Sequence, residues 1–190
     1  KSLVISYGTD GKEIWRLGGM TQATPSPVAG EGLLFVGSGS QGETNRPLFA
    51  VKPGATGDLT TAKDAPLNEF VGWFLPRFSA YTSSPLLYRG RIYAVNDNGI
   101  LQVADAKTGK EIYTKVRLDP TAGAFTASPW AYNGKLFATS EDGVTYVIQA
   151  GPKFEVIGRN SLDEFTMATP AIDRDSLFIR TATSLYRISS

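Results

Sequence analysis

The sequence predicts an all-β chain: a β-propeller of four-stranded antiparallel blades, about four of them present, which is half of an eight-bladed ring. Three observations predict it. A hydroxyl–Pro anchor recurs four times, and each anchor is followed by the same aliphatic–aromatic–apolar triplet. Short β-branched or aromatic runs alternate with Gly- and Asn-rich turns, and no stretch carries a convincing helical period.

The anchors are Ser26-Pro27, Ser84-Pro85, Ser128-Pro129 and Thr169-Pro170. A turn residue stands five positions after each proline: Gly32, Gly90, Gly134 and Asp175. The triplets follow at Leu34-Phe35-Val36, Ile92-Tyr93-Ala94, Leu136-Phe137-Ala138 and Leu177-Phe178-Ile179. The prolines lie 58, 44 and 41 residues apart. A period in the low forties is the length of one four-stranded blade. The longer first step carries an insertion, placed at the polar, turn-rich segment 55–68. A β-sandwich with similar strand spacing is the structural alternative.

Within a repeat the inner strands read cleanly. Arg91 to Asn96 and Ile100 to Ala104 are joined by Asn96-Asp97-Asn98-Gly99, and Lys135 to Ser140 and Val144 to Gln149 by Ser140-Glu141-Asp142-Gly143. Asn-Gly and Asp-Gly supply the positive φ that tight hairpins require. Fourth strands are expected at Glu111 to Leu118 and Phe154 to Gly158. At the start, Ser2 to Tyr7 and Lys12 to Leu17 resemble a third and a fourth strand. At the end, Ala168 to Asp173, Leu177 to Thr181 and Leu185 to Ser189 resemble strands one to three. The expectation is one partial propeller domain over 1–190, with a blade fragment at 1–17 and blades near 24–75, 82–118, 126–163 and 167–190. Two copies could close a ring head to tail, the missing half could belong to a longer chain, or four blades could close tightly alone. The opening Lys1-Ser2, with no initiator Met, reads as a processed or excised piece from which a targeting segment is gone.

Composition narrows the function. Apolar residues make up 42% and charged residues 19%, which suits a packed globular chain. Net charge is +1 with no basic cluster, so no nucleic-acid footprint is present. No apolar run is long enough for a membrane helix. Cysteine and histidine are both absent, which excludes a Ser-His-Asp triad, a thiolate nucleophile and a His-ligated zinc.

Gly-Lys-Glu-Ile-Trp at Gly11 to Trp15 and Asp-Ala-Lys-Thr-Gly-Lys-Glu-Ile-Tyr at Asp105 to Tyr113 resemble the repeat of the pyrroloquinoline-quinone-like (quinoprotein) propellers. The resemblance covers nearly the whole chain outside segment 55–68. It is nearest to uncharacterised bacterial quinone-binding-like repeat proteins, which are similar both to quinoprotein alcohol dehydrogenases and to the propeller lipoprotein of the outer-membrane β-barrel assembly machinery. It implies that a Gly and an aromatic dock neighbouring blades, roles that fall on Gly109, Trp15 and Tyr113. In the third repeat Phe154 or Val156 stands where the aromatic is expected. Dehydrogenases of the family bind the quinone with calcium, and often stack a disulfide on it. This chain has no Cys and no segment rich enough in oxygen ligands for calcium, so no cofactor and no metal are expected.

Candidate ligand-binding residues are Arg77, Tyr81, Thr82, Ser84, Thr126, Ser128, Trp130 and Thr169. The hydroxyls lie on first strands, which line a propeller axis. They form either a polar ring around a ligand channel or, the preferred reading, backbone bonds between blades. Arg77 belongs to an aromatic and cationic cluster with Trp73, Phe74, Phe78 and Tyr81 that could hold an anion or a peptide, against a reading as interblade packing. Asp97, Glu141 and Asp142 sit in turns, where acids usually cap backbone amides. Arg174 and Arg180 could face the channel. No catalytic residue is assigned. The expected function is a non-enzymatic scaffold or binding module of the bacterial cell envelope or periplasm, a homodimer completing the ring, with a protein, peptide or carbohydrate partner. The alternative is a quinoprotein-type oxidoreductase or a hydrolase using channel residues.

Overall fold

The computed structural model describes residues 2–62 and 65–189, and every described element is a strand, turn or loop. Strands β1 (Ser2–Tyr7) and β2 (Glu13–Met20) form a hairpin. Three antiparallel four-stranded meanders follow. The first holds β3 (Val28–Gly30), β4 (Leu33–Gly37), β5 (Leu48–Val51) and β7 (Val71–Leu75), with β6 (Gly57–Asp58) set apart. The next holds β8 (Leu86–Tyr88), β9 (Arg91–Val95), β10 (Ile100–Asp105) and β11 (Glu111–Arg117). The third holds β12 (Trp130–Tyr132), β13 (Lys135–Thr139), β14 (Val144–Gln149) and β15 (Val156–Ser161). The last sheet has β16 (Ala171–Asp173), β17 (Ser176–Arg180) and β18 (Leu185–Ser189). The chain is all-β and built of propeller blades.

Pairing explains why the triplet recurs. Side chains alternate across a strand, so the aliphatic and the aromatic point to opposite faces of each sheet. Leu34 packs toward Trp15 and Leu17 of the preceding sheet, while Phe35 packs toward Ile92 and Ala94 of the following one. Ile92 and Tyr93 divide in the same way, with Tyr93 meeting Leu136 and Ile148. These two sheets are therefore covered on both faces by their neighbours. Phe35, Tyr93, Leu136 and Ile148 are buried, and burial of such a side chain stabilises by about 1.5–3 kcal/mol.

The first hairpins turn tightly because Glu31, Arg89 and Asn133 adopt φ of 54°, 50° and 44°, each followed by a glycine. Arg174 has φ 52° in the equivalent turn, which places it at the tip of a hairpin. Segment 55–68 lies between the third and fourth strands of the first meander. Its strand β6 pairs in parallel with β2 at Trp15 and Arg16, so it covers that strand's outer edge. Leu59 is buried beneath it, and Thr60 Oγ1 accepts the Gly18 N–H at 2.8 Å.

Up-and-down order puts the turns between second and third strands, and the connectors between sheets, at one end of the strands. This connector face binds itself: the Phe78, Phe125 and Thr166 N–H groups donate to Arg46 O, Asp97 O and Glu141 O in the hairpin of the preceding sheet.

Candidate functional site

The anchor hydroxyls form a ladder through the middle of the fold. Ser84 Oγ accepts the Ser26 N–H, Ser128 Oγ accepts the Ser84 N–H, and Thr169 Oγ1 accepts the Ser128 N–H, each at 2.9 Å. Each anchor stands two residues before a first strand rather than on it, and every rung joins one such approach to the next. The first strands are only three residues long, so this side-chain bond continues cohesion where backbone pairing has ended. The ladder is open at both ends: among the described residues Ser26 Oγ has no donor and the Thr169 N–H has no acceptor.

Farther out, aromatics peg neighbouring blades together. Trp73 on β7 reaches the turn between β10 and β11 and donates its indole N–H to Ala106 O at 3.0 Å. Gly109 in that turn lies flat on the indole, and a Cβ there would fall 2.6 Å from a ring carbon. The partner of Gly109 is thus Trp73. Trp15 occupies the same place on β2 and shares a buried cluster with Ala55 of the next turn. Tyr113 meets Phe154 edge-on at 6.3 Å, and burial, reinforced by Tyr93, pushes its phenol up to about 12. In the following sheet the register puts Gly158 opposite Val147, the row that carries Trp73 and Tyr113 elsewhere. The decayed docking position is therefore Gly158, and neither Phe154 nor Val156 fills it.

On the connector face, Arg46 is 7% exposed and pairs with Asp97 of the next hairpin, 51 positions on. Its Nε donates to Glu43 O at 3.0 Å. Arg77 is exposed and opens onto a cavity of about 430 Å³ with Arg46, Asn96, Asn98 and Lys115. Tyr81 and Thr82 are half-buried on the connector beside it. Thr126 donates its hydroxyl to Glu141 at 2.5 Å. Trp130 lies on the other face, stacked on Phe137 with centroids 3.9 Å apart, and its buried indole N–H has no partner among the described residues. Arg180 ends β17, exposed, and its carbonyl accepts the Thr166 hydroxyl. The structure spreads the candidate residues over an axial ladder and two opposite faces and does not gather them into one pocket.

Two acids of the connector face, Glu141 and Glu164, are tied to hydroxyls. Glu164 accepts from Thr181 Oγ1 at 2.5 Å, Tyr186 OH at 2.6 Å and Thr183 Oγ1 at 2.7 Å, and these bonds hold its carboxyl at about 2. Sequence reading missed this net, because its donors lie 17 to 22 positions away with no motif to join them. A lowered folded pKa means the stabilisation is complete above the unfolded value near 4.5 and is lost as pH falls toward 2. We expect the last hairpin to loosen across that window, with Glu164→Gln removing this part of the acid dependence. Hydrogen exchange of β17 and β18 against pH measures it, and an unchanged profile in the variant contradicts it.

Among the described residues no three acidic groups converge as metal ligands. The carboxylates that could face a ligand are held apart, with Asp97 on Arg46, Glu141 on Thr126 and Glu164 on its hydroxyls. A calcium shell of six to eight oxygens does not fit this arrangement.

A family model described as outer membrane protein assembly factor BamB matches residues 1–181. The chain belongs to the BamB family. Membership bears out the quinoprotein-like resemblance read from Gly11–Trp15 and Asp105–Tyr113. Among solved structures, BamB from Moraxella catarrhalis is 13% identical over 98% of this chain and 64% of its own, with a TM-score of 0.50. This BamB-family chain thus spans less than two thirds of that relative. A computationally designed protein, Ika4, aligns over 94% of this chain and 98% of its own, at 10% identity and a TM-score of 0.64. A europium-containing methanol dehydrogenase aligns over 71% of this chain and 24% of its own, at 13% identity and 0.49, too loosely to bear on chemistry. At these identities the likenesses show the fold alone. No curated protein matches the sequence.

Proposed function

We propose that this BamB-family chain is a non-enzymatic propeller scaffold of the bacterial cell envelope, on its periplasmic side, that binds a protein partner through its loops. A second copy completes an eight-bladed ring. The observation that carries the reading is the open ladder. Ser26 offers a hydroxyl acceptor at one end and Thr169 an N–H donor at the other, in the same relation that joins every pair of blades between them. A copy placed head to tail satisfies both, and two such contacts close the ring without leaving an edge. Phe178 takes the place of Phe35 and Tyr93 in its triplet, so it faces the position of a following blade. Leu3 and Ile14, both exposed on the first hairpin, face the position of a preceding one.

Closure asks for one rearrangement. β1 and β18 both occupy the third-strand place, so the joined blade has one strand too many and one of the two moves aside. The dispersed carboxylates support a scaffold without quinone or calcium, and loops from several blades on one face suit recognition of a protein. Light scattering tests the assembly: the expected mass is about 41 kDa, twice the 20.4 kDa chain, and a folded 20 kDa monomer at micromolar concentration overturns pairing.

A further inference from the structure

The cavity of about 430 Å³ on the connector face has features that packing alone does not explain. It lies between the hairpin that carries Arg46 and the hairpin Asn96–Gly99. Its floor is Arg46, neutralised by Asp97 and fixed by Glu43 O. Asn96 uses its side-chain oxygen to accept the Asn98 and Ile100 N–H groups, which leaves its amide N–H groups free to donate. Arg77 and Lys115 stand at the rim, exposed, and among the described residues neither makes an ion pair or a side-chain hydrogen bond. The one carboxylate of the lining is Glu43.

Lys115 is the telling residue. It sits inside strand β11 with φ 56°, in the left-handed region where glycine is favoured. Leu101 pairs with Val116 and Val103 with Tyr113, so two residues of β11, Thr114 and Lys115, oppose Gln102 alone. This is a β-bulge, a device that redirects a side chain. Here the bulge brings an unpaired ammonium to a cavity that already holds an unpaired guanidinium. A lysine kept in a strained position, whose side chain makes no bond among the described residues, points to a ligand.

We propose that this cavity binds a carboxylate side chain of an acidic peptide segment of a protein partner. Arg77 and Lys115 clamp the carboxylate, and the Asn96 amide donates to its second oxygen. Glu43 opposes it from the lip and limits affinity. The segment lies extended, because the cavity is open along the seam between two blades. This site goes beyond the scaffold reading and does not depend on whether a second copy completes the ring.

The test uses fluorescence anisotropy of a short fluorescein-labelled oligoglutamate with the intact protein. Arg77→Ala and Lys115→Ala should each weaken binding about fivefold, the upper range for one exposed charge pair, and binding should fall as salt is raised. Glu43→Gln should strengthen it. Lys115→Gly separates function from structure: it relieves the positive φ, so the melting temperature should hold or rise while binding falls. A variant whose affinity and melting temperature fall together marks Lys115 as structural and overturns the proposal. So does unchanged binding in both rim variants. Displacement of the peptide by inorganic phosphate at equal concentration overturns peptide recognition and leaves only a general anion site.

Discussion

Trp73→Ala is expected to lower the melting temperature by roughly 6–20 °C, from a loss of about 3–5 kcal/mol at about 2–4 °C per kcal/mol for a chain of this size. The indole is 6% exposed and joins its own sheet to a turn of the following one. It packs on Phe35 of its own sheet with centroids 5.6 Å apart. It fills the space above Gly109 of the following sheet, and its N–H satisfies Ala106 O. Truncation leaves a cavity at the seam and an unpaired carbonyl in it, and the turn cannot collapse inward because its backbone is already held by the Gly109 N–H to Asp105 O bond. Trp73→Phe should keep most of the packing and lose the hydrogen bond, so its effect should be clearly smaller. Thermal unfolding followed by circular dichroism measures both. Equal losses in the two variants would place the effect on the N–H, and no loss in the alanine variant would show that the peg does not join the blades.

The same seam shows what the sequence could and could not disclose. Period-2 patterning assigns Phe35 and Tyr93 to one face and Leu34 and Ile92 to the other, and the structure keeps this parity in each pair. The strands at Ser2–Tyr7, Val144–Gln149 and Leu185–Ser189 fall where the residues place them, because turn chemistry brackets each run. The outer strand expected at Phe154 to Gly158 instead runs Val156–Ser161. Outer strands are half-exposed, so their apolar signal is weak, and a bulge at Val147/Ile148 shifts the pairing. The bulge at Lys115 was equally hidden, since nothing in Thr-Lys-Val marks an extra residue. The resemblance names Gly109 as a docking glycine of neighbouring blades but does not name Trp73, the aromatic that lies on it from the preceding blade. Pairs such as Arg46–Asp97 follow from which hairpins meet in space, and local pattern carries no information about that.

Gly143→Ala should detach the last sheet while leaving the others folded. Gly143 closes the hairpin between β13 and β14 with φ 84°, and a Cβ there would lie 2.3 Å from Glu164 O and 3.1 Å from Glu164 N. The obstacle is backbone, so no side chain can rotate out of the way. The connector that follows β15 must move, and it carries the carboxylate that holds Thr181, Thr183 and Tyr186. The left-handed backbone costs about 1–3 kcal/mol for alanine and the clash about as much again. Gly54→Ala is the control, because its φ of 77° is similar and nothing lies within 4 Å of the added Cβ. It should bear the conformational cost alone, without displacing a neighbour. Hydrogen exchange resolves the two: in the Gly143 variant protection should vanish in β16 to β18 and persist in β9, β10 and β13, whereas the Gly54 variant should leave the last sheet protected. Uniform loss across all sheets in the Gly143 variant would mean that the propeller unfolds as one unit and that the Glu164 net is not a separate latch.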